Sequence, residues 1–265
     1  MLQAHPGLEE VIAEDPYDDA RWSVLEDWLL ERDDPRAALV SARDPSAARA
    51  AMLPLLLGPR HADLADALWK LEWRGGYLRE CYFAPQPAPK LALFDELLRA
   101  PAAALVRRLT IKGAGVEEVD RLAAAPCARS LCTLELSTIT SYTAPPIAAS
   151  TLAQLRRLEE LVLDGYALAG EATLRVTRLD WRPRRDVAWR AVLGALRLPA
   201  LRALSIETAE PGSRALLDVL AELPLAASLE TLAIGPDATA RPGGPEMLRA
   251  RYPGAFARLR ELALL

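Results

Sequence analysis

The chain has 265 residues, which is room for one large domain or two small ones and enough to bury a core without disulfides or metals. Hydrophobic residues make up 51% and charged residues 26%, a balance that excludes a disordered chain, a fibrous repeat and a disulfide-rich miniprotein. The 32 basic and 36 acidic side chains leave a formal charge of −4, which disfavours general binding to nucleic acid or anionic membranes.

Three further features bear on location. No apolar run reaches the ~18 residues that span a bilayer, and the start, MLQAHPGLEE, has neither the basic region nor the apolar core of a secretory signal. Cys81, Cys127 and Cys132 have no paired spacing, so we interpret them as small buried side chains in a reducing compartment. We therefore expect a cytoplasmic protein with no membrane contact.

Residues 1–57 have helical patterns throughout. Leu8, Val11 and Ile12 have helical spacing, and a turn over 15–19 precedes a second helix expected over about 20–32. That helix has one apolar stripe, formed by Trp22, Leu25, Trp28 and Leu29.

Two more helices are expected in this region. Asp33-Asp34-Pro35 ends the second helix, and Asp34 can cap a third that contains Ala38, Leu39 and Ala42. A fourth covers about 47–57. We therefore predict a helical domain over 1–57 and a linker, or first helix of an array, over 58–77.

From residue 78 onward one short pattern recurs: apolar, two variable residues, apolar, one variable residue, apolar. The copies are Leu78-Cys81-Phe83, Val106-Leu109-Ile111, Leu131-Leu134-Leu136, Leu158-Leu161-Leu163, Val176-Leu179-Trp181, Leu201-Leu204-Ile206, Leu229-Leu232-Ile234 and Leu259-Leu262-Leu264. Their middle residues are 18 to 30 positions apart and about 26 on average, a spacing within the range of leucine-rich repeats.

Prolines have a second, independent regularity. Pro101, Pro126, Pro199 and Pro224 each follow a helical stretch and precede the middle residue of the next copy by five or eight residues. Since proline has no amide hydrogen with which to continue a helix, the unit is a helix, a proline stop, a short strand and a turn.

The predicted fold is α/β: a leucine-rich-repeat-like solenoid over 78–265 with about eight parallel short strands, helices on the convex side and the helical domain as an N-terminal cap. One repeat cannot bury its apolar face alone, but stacked neighbours can. The step of 18 residues, from Leu161 to Leu179, leaves no room for a full helix, so we expect an irregular or kinked array around 167–173.

Residues 9–43, EEVIAEDPYDDARWSVLEDWLLERDDPRAALVSAR, resemble the repeat-companion domain of bacteria such as myxobacteria and planctomycetes. The family pattern is approximately D-P-x-D-D-x-x-x-x-V-Y-A-D-W-L-x-E-x-G-D-P-R-G-E, and residues 68–83 are similar to the L-E-W-R-x-G-F segment that commonly follows it. The matching residues are Asp15, Pro16, Asp18, Asp19, Val24, Asp27, Trp28, Leu29, Glu31, Asp34, Pro35 and Arg36.

The chain departs from that pattern at Leu25, Glu26, Asp33, Ala37 and Ala38. The resemblance implies an architecture, a helical domain before a degenerate leucine-rich-repeat array, and it implies no reaction.

The sequence has no motif that argues for catalysis. Its two histidines, His5 and His61, have no serine or cysteine near them in a nucleophile setting, and Gly113-Ala-Gly115 is too short for a phosphate loop. Asp15, Asp18 and Asp19 could ligate a cation, but we favour helix capping, because calcium loops need more oxygen ligands at fixed spacing. Packing explains Trp28 and Leu29, and Asp27 can act as a cap or pair with an arginine such as Arg36. We expect no enzyme activity, no metal and no cofactor.

Alternate residues of the predicted strands face outward and would form the partner-binding concave face. The candidate binding residues are Arg108, Thr110, Lys112, Thr133, Glu135, Glu160, Asp164, Arg178, Asp180, Arg182 and Glu207. This set is polar and lacks aromatic side chains, so it favours a modest interface over a large hydrophobic one.

Segment 175–190 departs from the average charge. It contains six arginines and two aspartates, with Trp181 and Trp189 interleaved, and arginine with aromatic side chains can bind nucleic acid. The favoured interpretation is that the tryptophans are core and the arginines are solvated. The nucleic-acid alternative would use Arg182, Arg184, Arg185 and Arg190.

The sequence finishes on a strand pattern, Leu262-Ala263-Leu264-Leu265. An uncovered edge strand invites pairing with another chain, so we expect this edge to meet a partner or a second copy. Together these patterns predict a bacterial, non-enzymatic scaffold or adaptor that binds another protein. The alternative is an accessory subunit that contacts nucleic acid.

Overall fold

The computed structural model describes residues 2, 5–42, 45–85, 90–138, 145–183, 187–207, 213–235, 241–242 and 245–264. Arg184, Arg185, Asp186 and Leu265 lie outside the described residues. The fold is mixed α/β with a mostly parallel sheet, which confirms the predicted class.

Helices and strands alternate through most of the chain. The α-helices are α1 (Pro6–Glu14), α2 (Asp19–Glu31), α3 (Ala37–Ser41), α4 (Pro45–Leu57), α5 (His61–Ala67), α6 (Lys90–Arg99), α7 (Val116–Ala124), α8 (Ala149–Leu152), α9 (Trp189–Ala195), α10 (Ser213–Ala221) and α11 (Pro245–Arg251). The 3₁₀ helices are η1 (Pro101–Leu105), η2 (Pro126–Arg129) and η3 (Pro224–Ser228).

The strands are short. They are β1 (Leu68–Arg74), β2 (Tyr77–Phe83), β3 (Arg108–Lys112), β4 (Thr133–Ser137), β5 (Ile147–Ala148), β6 (Glu160–Asp164), β7 (Leu168–Ala169), β8 (Ala172–Thr173), β9 (Arg178–Arg182), β10 (Leu196–Arg197), β11 (Ala203–Glu207), β12 (Thr231–Gly235), β13 (Arg241–Pro242) and β14 (Glu261–Leu264).

The chain divides into two compact units. The first comprises 1–112 and 120–133, and the second comprises 113–119 and 134–265. The division expected after residue 57 therefore lies inside the first unit.

The first unit is built around its N-terminal helices. The apolar stripe of α2 is buried against α1, with Ile12, Trp22, Leu25 and Leu29 all fully inaccessible to solvent. Asp18 caps α2 by accepting a hydrogen bond from the Ala20 amide at 2.9 Å. The helices predicted over 1–57 are confirmed, with ends shifted by one or two residues.

Segment 58–77 differs from the prediction in one respect. It contains the short helix α5, but also strand β1, which forms an antiparallel hairpin with β2 through Gly75 and Gly76. Both glycines have positive φ, +52° and +81°, which suits a tight turn. The segment lacked a strand signal because β1 does not alternate between buried and exposed residues: Trp69, for example, is 60% exposed.

In the second unit the repeated apolar residues pair in register. The strand order is β4, β6, β9, β11, β12, β14, β13, and Leu161, Leu179, Leu204, Leu232 and Leu262 are Cα partners in parallel from one strand to the next. All five are buried. In the first unit, Cys81 of β2 pairs in the same way with Leu109 of β3.

The prolines act at a helix start and not only at a helix stop. Pro101, Pro126 and Pro224 each open a 3₁₀ helix that leads into the next strand. Proline suits the first helical position because its missing N–H would have no intrahelical partner there, and its φ is already helical.

The 18-residue step from Leu161 to Leu179 runs from β6 to β9, and the described residues between these two strands contain no helix. It contains the short strands β7 and β8 instead, separated by Gly170 at φ +84°. Strand β7 pairs with β5, and β8 pairs with β10, each in parallel over two residues. The irregularity expected around 167–173 is confirmed.

The edge expected at the last strand is partly covered. Strand β13 pairs antiparallel with β14, with Arg241 opposite Leu264 and Pro242 opposite Ala263. Leu262 is itself buried. The edge expected to be open at Leu262 and Leu264 is therefore already paired within the chain at Ala263 and Leu264, while a partner or second copy at this end stays a prediction.

Candidate functional surface

Alternate residues of the second unit's main strands form one polar face, which we call the outward face. Its positions lie between buried leucines and isoleucines along each strand. They are Glu135, Ser137, Glu160, Val162, Asp164, Arg178, Asp180, Arg182, Ala203, Ser205, Glu207, Thr231, Ala233, Glu261 and Ala263.

The outward face is acidic. It has six carboxylate side chains and two guanidinium groups, which leaves a formal charge of −4. The C-terminal strands contribute mostly small side chains, as at Ser205 and Ala233. The face therefore offers negative charge with little steric obstruction, and it is poor in apolar anchors.

Both arginines of the outward face are paired across strands. Arg178 lies 3.3 Å from Glu160 of the neighbouring strand. Arg182 lies 3.0 Å from Asp180 and 3.4 Å from Glu207. The hydrogen bond to Asp180 raises the pKa of Arg182, against the opposing effect of burial, and the charges of Asp180, Glu207 and Asp164 raise it further.

Three of the predicted binding residues offer little surface. Thr110, Thr133 and Asp180 are buried, with 7%, 4% and 8% exposure. Asp180 is covered because Arg182 folds back onto it. The expectation of outward exposure is corrected at these positions.

The predicted binding residues are also divided between the units. Arg108, Thr110, Lys112 and Thr133 belong to the first unit, whereas the set from Glu135 to Glu207 belongs to the second. Arg108 is exposed and lies 4.0 Å from Glu80, and Lys112 is half-buried. Only the second group shares the outward face defined above.

Three arginines of segment 175–190 are paired within the chain, whereas Arg175 is exposed and forms no ion pair among the described residues. Arg178 and Arg182 are paired as above, and Arg190 donates hydrogen bonds to Glu222. Trp181 is fully buried, and its Nε1 donates to the Tyr166 carbonyl at 2.8 Å. Because that ring cannot stack on a base, the interpretation of Trp181 as core fits the structure.

A buried polar network in the first unit was not anticipated from the sequence. Arg36 donates to both carboxylate oxygens of Asp34, at 2.8 and 3.1 Å, and to the Tyr77 hydroxyl. Tyr77 in turn donates to Glu9 at 2.8 Å. The partner of Arg36 is thus Asp34 and not Asp27, whose side chain is exposed.

The buried network stabilises the fold and offers no site to a ligand. The side chains of Asp34 and Arg36 are 0% and 3% exposed, so they are accessible to no ligand. Burial raises the pKa of Tyr77, and the charge of Glu9 adds to this while Arg36 opposes it. The hydroxyl therefore stays protonated and bridges the guanidinium group to the Glu9 carboxylate.

The remaining chemical candidates also have structural roles. His5 accepts a hydrogen bond from the Leu8 amide at the start of α1, and His61 Nδ1 lies 3.2 Å from the Gly58 carbonyl. Asp15 and Asp18 accept from backbone amides in the turn before α2, so the capping interpretation holds. Among the described residues, no three His, Cys, Asp or Glu side chains are grouped as a metal site requires.

All three cysteines are buried, and none of them forms a disulfide. Burial raises the pKa of the Cys127 thiol to about 12, and it also raises that of Cys81. These thiols stay protonated at neutral pH and pack as small apolar side chains.

Comparisons of the chain with protein-family models, with curated proteins and with solved structures found no match. Within the described part of the chain, no helix has the length and apolarity that crossing a membrane requires.

Proposed function

We propose that this chain is a non-enzymatic scaffold or adaptor that binds another protein through the outward face of its second unit. The single observation that carries the proposal is the face itself: six carboxylate side chains and two guanidinium groups on neighbouring parallel strands, with a formal charge of −4. Negative potential on one surface selects partners with a complementary basic segment and accelerates their association.

The partner is a protein segment with several Lys or Arg side chains and few bulky apolar ones. The outward face has no aromatic side chain to anchor a hydrophobic hot spot, so binding depends on charge and weakens as salt rises. Asp164 and Glu207 contribute to this potential, since both are half-exposed and lie near Arg182 on the outward face.

We further propose that the array is a leucine-rich-repeat-like solenoid, with the repeat-companion-like segment as its N-terminal cap. Support comes from the in-register pairing of the repeated leucines and from the recurring order of helix, 3₁₀ helix and strand. A cytoplasmic location belongs to the same proposal, supported by three buried cysteines that form no disulfide.

The experiment starts from affinity capture with the full chain and continues with the purified captured protein in a calorimetric titration. Asp164→Asn and Glu207→Gln remove charge from the outward face without changing side-chain size. Glu246→Gln, on α11, is the matched control because its side chain is 77% exposed and lies outside the outward face.

We expect the double variant of Asp164 and Glu207 to bind about tenfold more weakly at low salt, since two partly screened charge contacts are lost. The control should bind like the wild type. Equal binding by all three proteins would refute the outward face as the interface. Retention of nucleic acid in place of protein, with affinity lost as salt rises, would favour the alternative function instead.

A further inference from the structure

A second surface of the second unit has the opposite charge character. A cavity of about 320 Å³ lies beside α8 and β8, at the 18-residue step in the repeat. The described residues between β6 and β9 contain the short strands β7 and β8 and no helix. Departures from a regular repeat are where function is expected.

The lining of this cavity combines basic and apolar groups. Arg156 and Arg175 contribute the charge, and Thr173 contributes a hydroxyl group. The other lining residues are aliphatic, and all of them except Ala153 are buried, so they form the floor of the cavity: Leu152, Ala153, Leu155, Leu158, Leu174 and Val176. None of the described lining residues is acidic.

The two arginines have no carboxylate partner among the described residues. By contrast, Arg178 is paired with Glu160 and Arg182 with Asp180. Arg156 and Arg175 are exposed, and no ion pair within 4.0 Å neutralises either of them in the described part of the chain. Their charge is therefore available to a ligand.

We propose that this cavity binds a small organic anion: a phosphate or carboxylate group carried on an apolar body. Guanidinium groups match both oxyanions with paired N–H donors, and the aliphatic side chains would receive the apolar part. A volume near 320 Å³ is at the lower end for ligand pockets, which suits a compact ligand and not a polymer.

The neighbouring cavity supplies the control. It is lined by Thr173 as well, but its basic residue is Arg197 and its other walls include Leu193, Leu198 and Leu225. Arg197 is exposed, like Arg156 and Arg175, and it does not line the smaller cavity. Arg197→Gln therefore removes one positive charge nearby while every side chain that lines the proposed site stays unchanged.

The test is a calorimetric titration of the full chain with phenyl phosphate, benzoate and inorganic phosphate. We expect saturable binding of one equivalent of phenyl phosphate or benzoate, about tenfold weaker in Arg156→Gln and in Arg175→Gln and unchanged in Arg197→Gln. The tighter of the two aromatic anions identifies the head group as phosphate or carboxylate.

Three results would overturn the proposal. These are no saturable binding of either aromatic anion, equal weakening by Arg197→Gln, and inorganic phosphate binding as tightly as phenyl phosphate, which would show that the apolar walls contribute nothing. Circular dichroism of each variant confirms the fold. Since Arg156 and Arg175 lie outside the outward face, either surface can fail its test while the other passes.

Discussion

Replacement of Asp34 by asparagine tests the buried network most sharply. Asp34 accepts three hydrogen bonds from Arg36: from the backbone amide at 2.9 Å, from Nε at 2.8 Å and from Nη2 at 3.1 Å. Asparagine has nearly the same shape, but it removes the negative charge and places an N–H₂ group where Nη2 needs an acceptor. The variant thus leaves Arg36 as a buried cation without its main partner.

The expected loss of stability is large. Removing one partner of a buried ion pair costs about 3–5 kcal/mol, because the other charge remains buried. We expect the lower part of that range, since Tyr77 still accepts a hydrogen bond from Arg36 and links it to Glu9. Domains of this kind have total stabilities of about 5–15 kcal/mol, so the change would be plain in a denaturation curve.

The assay is urea denaturation followed by both tryptophan fluorescence and circular dichroism, because two compact units need not unfold together. Asp27→Asn is the matched control: it makes the same chemical change on an exposed residue of α2 and should shift the free energy of unfolding by less than about 0.5 kcal/mol. Asp34→Leu with Arg36→Met should be less destabilised than Asp34→Asn, because no charge is orphaned. A cost for Asp34→Asn no larger than that of Asp27→Asn would refute this reasoning.

Three further outcomes are expected in the same assay. Gly76→Ala should lower the free energy of unfolding by more than about 1 kcal/mol, since φ is +81° and the new Cβ would lie 2.7 Å from Cγ of Arg36. Gly75→Ala should cost less, because the atom nearest to its new Cβ lies 3.6 Å away. The reverse order would contradict the turn geometry. Leu204→Ala, at a buried repeat position, should lower the free energy of unfolding by about 2–5 kcal/mol. Ser205→Ala, at the neighbouring position on the outward face, should lower it by less than about 0.5 kcal/mol. Equal costs would refute the assignment of these two residues to opposite faces. Because burial raises the pKa values of Cys81 and Cys127, these thiols keep their protons in the folded state, whereas they lose them above about pH 8.5 in the unfolded state. The free energy of unfolding should therefore be at its full value below that pH. Above it, the free energy of unfolding should fall by about 1.4 kcal/mol per thiol per pH unit. That fall should flatten in Cys81→Ala with Cys127→Ala, and an unchanged slope between pH 8.5 and 9.5 would contradict it.

Local patterns predict much of this fold because the relevant interactions are short in sequence. The helical spacing of Trp22, Leu25 and Leu29 and the capping position of Asp18 define α2 without tertiary information. The leucine triplets define strands, because side chains alternate between the two faces of a strand and the triplet therefore assigns residues to both faces. The strand β1 lacks such alternation, and only its pairing with β2 makes it a strand.

The outward face was predictable and the buried network was not. Glu160 and Arg178 each stand one residue before a repeat leucine, so aligned repeats bring them together at 3.3 Å. Tyr77 and Glu9 are 68 positions apart in the chain, and no periodicity relates them. The arginine cavity is intermediate: the step of 18 residues marks its place, but the lining depends on how β8 and α8 pack.

The repeated leucines set the parallel register of the strands, and that register forms the outward face. Cysteines introduced in pairs measure that register directly, and the native thiols do not interfere because all three are buried. Ser205 and Ala233 are Cα partners on β11 and β12, at a strand spacing of about 4.8 Å that a disulfide can span. Thr231 is instead the partner of Ala203, which stands two residues before Ser205. Ser205→Cys with Ala233→Cys should cross-link quantitatively under mild oxidation, and Ser205→Cys with Thr231→Cys should not; preferential cross-linking of the second pair, or of neither, would contradict the register.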